Sequence, residues 1–163
     1  MASTYAMWQR LRTVPLGDRL FSAAVCVKAP YFATVLPHVT RLRPGYCEVL
    51  APKWFGVHNH IGTFHAIAAC NLAEVTMGML AEATVPPTHR WIPKGMEVEY
   101  LAKACTRLRA VAELDAVPEF GDAREVEVPV NVHDTHGTVV VRAVITVWVT
   151  PKKGRVFSPP IRT

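Results

Sequence analysis

His58-Asn59-His60-Ile61-Gly62-Thr63-Phe64-His65-Ala66-Ile67-Ala68-Ala69-Cys70-Asn71-Leu72-Ala73-Glu74 is the stretch on which the reading of this chain turns. Its first half is polar and glycine-containing, the composition of a turn. No proline follows between Thr63 and Val85, and the Ala and Leu residues there favour helix. Thr63 is the candidate N-cap, and the pattern predicts a helix reaching about Leu80. Nearly every face of that helix is apolar, as expected when other structure surrounds it. Between Lys53 and Glu82 the only full charge at neutral pH belongs to Glu74. A carboxylate on such a helix is costly unless it is paired, hydrogen-bonded or used in chemistry.

Outward from this stretch, the chain reads as one domain. Its 163 residues are long enough to bury a sizeable core, and 50% hydrophobic with 19% charged residues is ordinary globular composition. The domain is placed at 1–150, with a helical extension over about 5–37 and a loose, basic, proline-containing tail over 151–163. No apolar run of about 18 residues is free of polar groups, so no membrane span is expected. Met1-Ala2-Ser3-Thr4-Tyr5 lacks the basic and apolar regions of a secretory signal. Cys26, Cys47, Cys70 and Cys105 form no C-x-x-C pair and read as reduced, buried thiols of a cytoplasmic protein. A net charge of +5 favours anionic ligands. The basic residues are dispersed without an aromatic platform, which argues against nucleic acid.

The elements follow from periodicity. Tyr5–Val27 suits an amphipathic helix broken at Pro15-Leu16-Gly17, its apolar side formed by Trp8, Leu11, Leu20 and Phe21. A short helical piece covers Tyr31–Leu36, Arg41–Gly45 reads as a turn, and Tyr46–Ala51 as the first strand. Beyond Val85-Pro86-Pro87-Thr88 the period changes to two. Met96–Tyr100, Leu108–Leu114, Arg124–Val132 and Thr138–Thr150 read as four antiparallel strands, with Asp134–Gly137 a hairpin turn. Pro129 suits an edge or a bulge. Both faces of the last strand are largely apolar, which calls for a covering partner. Periodicity therefore gives an α+β domain, a buried central helix with a sheet of about five strands.

The central stretch resembles the signature of the hotdog-fold thioesterases, in their phenylacetate-pathway (PaaI-like) and DUF4442-like branches. The resemblance lies in Asn59, Gly62 three residues on, His65 three beyond, and Leu72-Ala73-Glu74 on the helix. It implies a hotdog fold, a central helix wrapped by a curved antiparallel sheet. It also implies hydrolysis of an acyl-coenzyme A or acyl-carrier thioester without a metal, coenzyme A entering only as part of the substrate. By the same resemblance Glu74 is the acid/base or nucleophile and the backbone N–H of Ala66 holds the carbonyl oxygen. Asn59 positions water or thioester, and Gly62, His65 and Asn71 complete the substrate side. The chain departs from the phenylacetate pattern in carrying Ala66 and Ile67 where two glycines follow the His, and Glu where Asp is usual.

The geometry adds its own constraints. A helix N-terminus offers free N–H groups and a positive dipole end, suited to a carbonyl oxygen gaining charge. Glu74 lies about 12–13 Å along the axis from Ala66, too far to act on the same atom. A site using both is shared between copies, so a homodimer or homotetramer is expected. Cys70 and Asn71 stand one turn before Glu74, within reach of its carboxylate. His58 and His60, with no Cys or Asp nearby, do not make a metal site. Two other readings stay open: a non-catalytic module that binds acyl-CoA, and a structural subunit.

Overall fold

The structure is a computed structural model that describes residues 3–152. Most of the expected loose tail therefore lies outside the described residues. Its first residue, Pro151, instead ends a strand, and Lys152 N–H donates to Thr88 O at 2.8 Å.

Helix α1 (Thr4–Leu11) is capped by Ser3, whose hydroxyl accepts from Ala6 N–H, and helix α2 (Gly17–Lys28) follows after the expected break. At the break Leu16 adopts φ of 58° and the chain doubles back closely, so that a Cβ on Gly17 would lie 1.7 Å from Leu11 O. Trp8 and Phe21 are buried and meet edge to face, with centroids 5.1 Å apart. Leu20, expected on the apolar side, is instead 59% exposed. The short helical piece is a 3-10 segment, Pro30–Val35.

Strands β1 (His38–Arg43) and β2 (Tyr46–Ala51) form a hairpin turned at Pro44-Gly45, where Gly45 has φ of 75°. Arg41–Arg43, expected in a turn, thus belong to a strand. A register shift between Val39 and Arg41 disrupts the period-two pattern that would have marked it. Helix α3 (Ala66–Thr84) runs 19 residues, four past the expected end, its last residue Thr84 bonding from Oγ1 back to Leu80 O. It is followed by β3 (His89–Tyr100), β4 (Leu108–Glu113), β5 (Arg124–His133) and β6 (Val139–Pro151).

The six strands make one antiparallel sheet in the order β1-β2-β4-β5-β6-β3. The sheet has six strands instead of about five, β1 being the addition. Its inward residues, among them Val49, Leu108, Ala110, Val130, Val132, Ile145 and Val147, pack on Leu72, Val75, Met77 and Leu80 of α3. Strand β5 lies inside the sheet, but its pairing with β4 stops at Val130; Pro129 sits where only β6 is a neighbour. Helix α3 is long and apolar enough to cross a membrane by composition, yet most of it is buried within the fold. The four cysteines are free; Cys47 is buried, but Cys105 is exposed, contrary to the expectation that all four are buried.

Candidate active site

The entrance to α3 is held by its own turn. Asn59 Oδ1 accepts from Ile61 N–H at 3.1 Å and Thr63 N–H at 3.0 Å, and Asn59 Nδ2 donates to Thr63 Oγ1 at 2.7 Å. Two backbone bonds, Asn59 N–H to Thr63 O and Gly62 N–H to Asn59 O, close the loop. Gly62 adopts φ of 74°, the left-handed region that a side chain disfavours. Thr63, its hydroxyl engaged by Asn59, does not cap the helix. His65 does: its Nδ1 accepts from Ile67 N–H at 3.1 Å, in the tautomer with the proton on Nε2.

This end of the helix is further pinned to the body of the fold. His65 N–H donates to Val57 O at 2.7 Å, and Phe64 N–H donates to Ala104 O at 2.8 Å. The buried Phe64 side chain anchors the same point. The N–H of Ala66, first residue of α3, has no acceptor among the described residues. It points from an exposed helix terminus whose dipole favours negative charge. Glu74, half-buried, has no hydrogen-bond or ion-pair partner among the described residues.

The neighbours of Glu74 on α3 turn elsewhere. Asn71, 5% exposed, donates from Nδ2 to Thr34 Oγ1 at 2.9 Å and Tyr31 O at 3.3 Å, tying α3 to the 3-10 segment. Its Oδ1 is buried without a partner among the described residues. Cys70 Sγ lies 3.1 Å from the Tyr100 hydroxyl. That hydrogen bond, with burial, pushes the Tyr100 phenol up to about 12. Tyr100, at the end of β3, is the residue that sequence reasoning missed at this site. Its sequence marked it only as the end of the Met96–Tyr100 strand, and the tertiary fold brings it, 53% exposed, to α3.

Ala66, Cys70 and Glu74 thus mark one stripe of α3, with Ala66 and Glu74 too far apart for one reacting atom. Apolar side chains surround the open end: Phe55 is 87% exposed, and Ile61, Ile67 and Leu101 are also exposed. Among the described residues no three His, Cys, Asp or Glu side chains converge to hold a metal.

A helix wrapped by this antiparallel sheet, with a glycine turn feeding its N-terminus, is the hotdog fold. The chain belongs to the DUF4442 family, a domain of unknown function, whose sequence model matches residues 17–149. The chain is similar over 91% of its length to a structural-genomics crystal structure, at 43% identity, 98% coverage of that chain and a TM-score of 0.79. A Pseudomonas aeruginosa protein of unknown function, described as a "Probable Thioesterase", shares 23% identity over 85% of this chain and 97% of its own, with a TM-score of 0.74. A thioesterase from Haemophilus influenzae shares the fold at 10% identity, covering 78% of this chain and 87% of its own, with a TM-score of 0.67. No curated protein matches the chain.

Proposed function

We propose that this protein is a cytoplasmic hydrolase of acyl thioesters, carried on coenzyme A or an acyl-carrier protein, that uses no metal. The observation that carries the reading is the unpartnered Ala66 N–H at an α3 terminus locked by Asn59, Gly62 and His65. That N–H holds the thioester carbonyl oxygen as it becomes an oxyanion. A water attacks the carbonyl carbon while the Glu74 carboxylate takes its proton. Collapse of the tetrahedral species expels the thiolate, which leaves as the free thiol after protonation. Because Ala66 and Glu74 of one chain are too far apart, the Glu74 involved comes from a second copy. The exposed apolar residues around the helix end support such a pairing. Asn59 acts by fixing the turn, since its carbonyl oxygen already accepts two N–H groups. Asn71 fixes the wall formed by the 3-10 segment.

The test is release of free thiol from short-chain, long-chain and aromatic acyl-CoA by the purified chain, with and without a chelator. Chelator-insensitive release supports the reading. No release from any substrate, with acyl-CoA still bound, leaves the non-catalytic binding module in its place.

A further inference from the structure

Toward the other end of α3 a cleft of about 600 Å³ opens between the N-terminal helices and the β1–β2 hairpin. Its walls include Trp8, Arg12, Asp18, Arg41, Arg43 and Tyr46. Gly45 N–H, in the hairpin turn, donates to Thr84 Oγ1 at the last residue of α3. Eighteen residues of helix, about 27 Å, therefore separate this region from Ala66. The cleft is independent of the proposed reaction centre of the same chain.

Its charge is lopsided. Asp18, the one carboxylate in the wall, lies 2.7 Å from His38 Nε2 and accepts from Arg19 N–H. Arg43 is engaged, with its guanidinium 3.7 Å from Glu113 and stacked 4.7 Å from the Tyr46 ring centroid. Arg12 and Arg41 have no ion-pair partner among the described residues, Arg41 lying beside the Tyr46 hydroxyl. Glu48, the carboxylate whose ionisation Arg41 influences, already accepts from Thr40 and Arg109. Trp8 adds an independent observation. It is 4% exposed, and its indole Nε1–H is buried without an acceptor among the described residues. A buried donor of that kind is costly until something accepts from it.

We infer that this cleft binds a phosphate-bearing small molecule of nucleotide size. Guanidinium groups match phosphate oxygens in charge and in fork geometry, and the volume lies in the range of small-molecule sites. Arg12 and Arg41 hold the phosphate, the Trp8 N–H supplies a neutral donor, and Leu42 with the Tyr46 ring forms an apolar wall.

The test is calorimetric titration of the full chain with inorganic pyrophosphate and with ADP, on the wild type and on Arg12→Ala/Arg41→Ala. Expected is saturable binding that weakens at least about tenfold in the double variant, while its melting temperature without ligand stays put. Trp8→Phe keeps an aromatic side chain against Phe21 while losing the donor and part of the indole, and weakens binding by a smaller factor. Absence of saturable binding, or equal affinity in wild type and double variant, overturns the inference. A KM for acyl-CoA that rises in the double variant identifies the nucleotide end of a substrate as occupant. A KM that does not change identifies a separate phosphorylated ligand. Titration does not depend on turnover, so failure of the hydrolase reading leaves this test intact.

Discussion

Glu74 and Gly62 carry the sharpest consequences for single side chains. Glu74→Gln keeps shape and hydrogen bonding but removes the basic oxygen, so turnover falls about 10²–10⁴-fold while acyl-CoA affinity changes little. Steady-state kinetics beside equilibrium binding checks this, and unchanged turnover would end the mechanism. Gly62 behaves differently. A Cβ there would meet nothing within 4 Å, so Gly62→Ala costs only backbone conformation, about 1–2 kcal/mol, measured by denaturant unfolding. The sequence pointed to both residues through their spacing. It did not show that Asn71 and Cys70 leave Glu74 alone, because their partners, Thr34 and Tyr100, lie 37 and 30 residues away.

Among elements, the turn 58–65 and strand β2 are held by different chemistry. Asn59→Ala removes three hydrogen bonds within the turn, for an expected loss of about 1–3 kcal/mol, with slower turnover as the Ala66 N–H loses its fixed direction. On β2, burial raises the Glu48 carboxyl, but hydrogen bonds from Thr40 and Arg109, with Arg41 nearby, outweigh it and hold the group below its ordinary 4.5. Folding therefore favours the ionised form. Its contribution is present above pH 4.5 and is lost as pH falls through the lower folded value. Glu48→Gln should cost about 1–2 kcal/mol at pH 7 and make unfolding less pH-dependent in the acid range, seen in melts from pH 7 to 3. Helix α3 was legible from its proline-free apolar run, and β4 and β5 from their alternation. Strand β6 was legible from its length and β-branched content, although a register shift opposite Val132/His133 interrupts its own pattern. Strand β1 and the first half of β3 were not, because register shifts at Val39/Arg41 and Pro93/Gly95 interrupt the alternation. The cap moved from Thr63 to His65 because Asn59 reached the threonine hydroxyl first.

For the whole molecule, the two sheet edges differ. Helix α2 packs on β1, while β3, 12 residues long, is the other edge and meets the first half of α3 at Tyr100, whose hydroxyl lies against Cys70. An open edge of that length favours pairing with another chain. The protein should therefore be at least a dimer at micromolar concentration by light scattering, with a melting temperature that rises with protein concentration. A stable monomer would remove the shared site along with the dimer.

The enclosure of α3 also sets an order of events while the chain is being made. Residues 66–84 leave the ribosome before β4, β5 and β6, the strands that cover much of the helix, have been synthesised. Until then α3 is a nascent segment with the composition of a membrane span and only the N-terminal helices and the β1–β2 hairpin to shelter it. Exposed apolar surface of this kind recruits chaperones or aggregates. A chain stopped before Arg124 should accumulate in the insoluble fraction, whereas one completed through Pro151 should not.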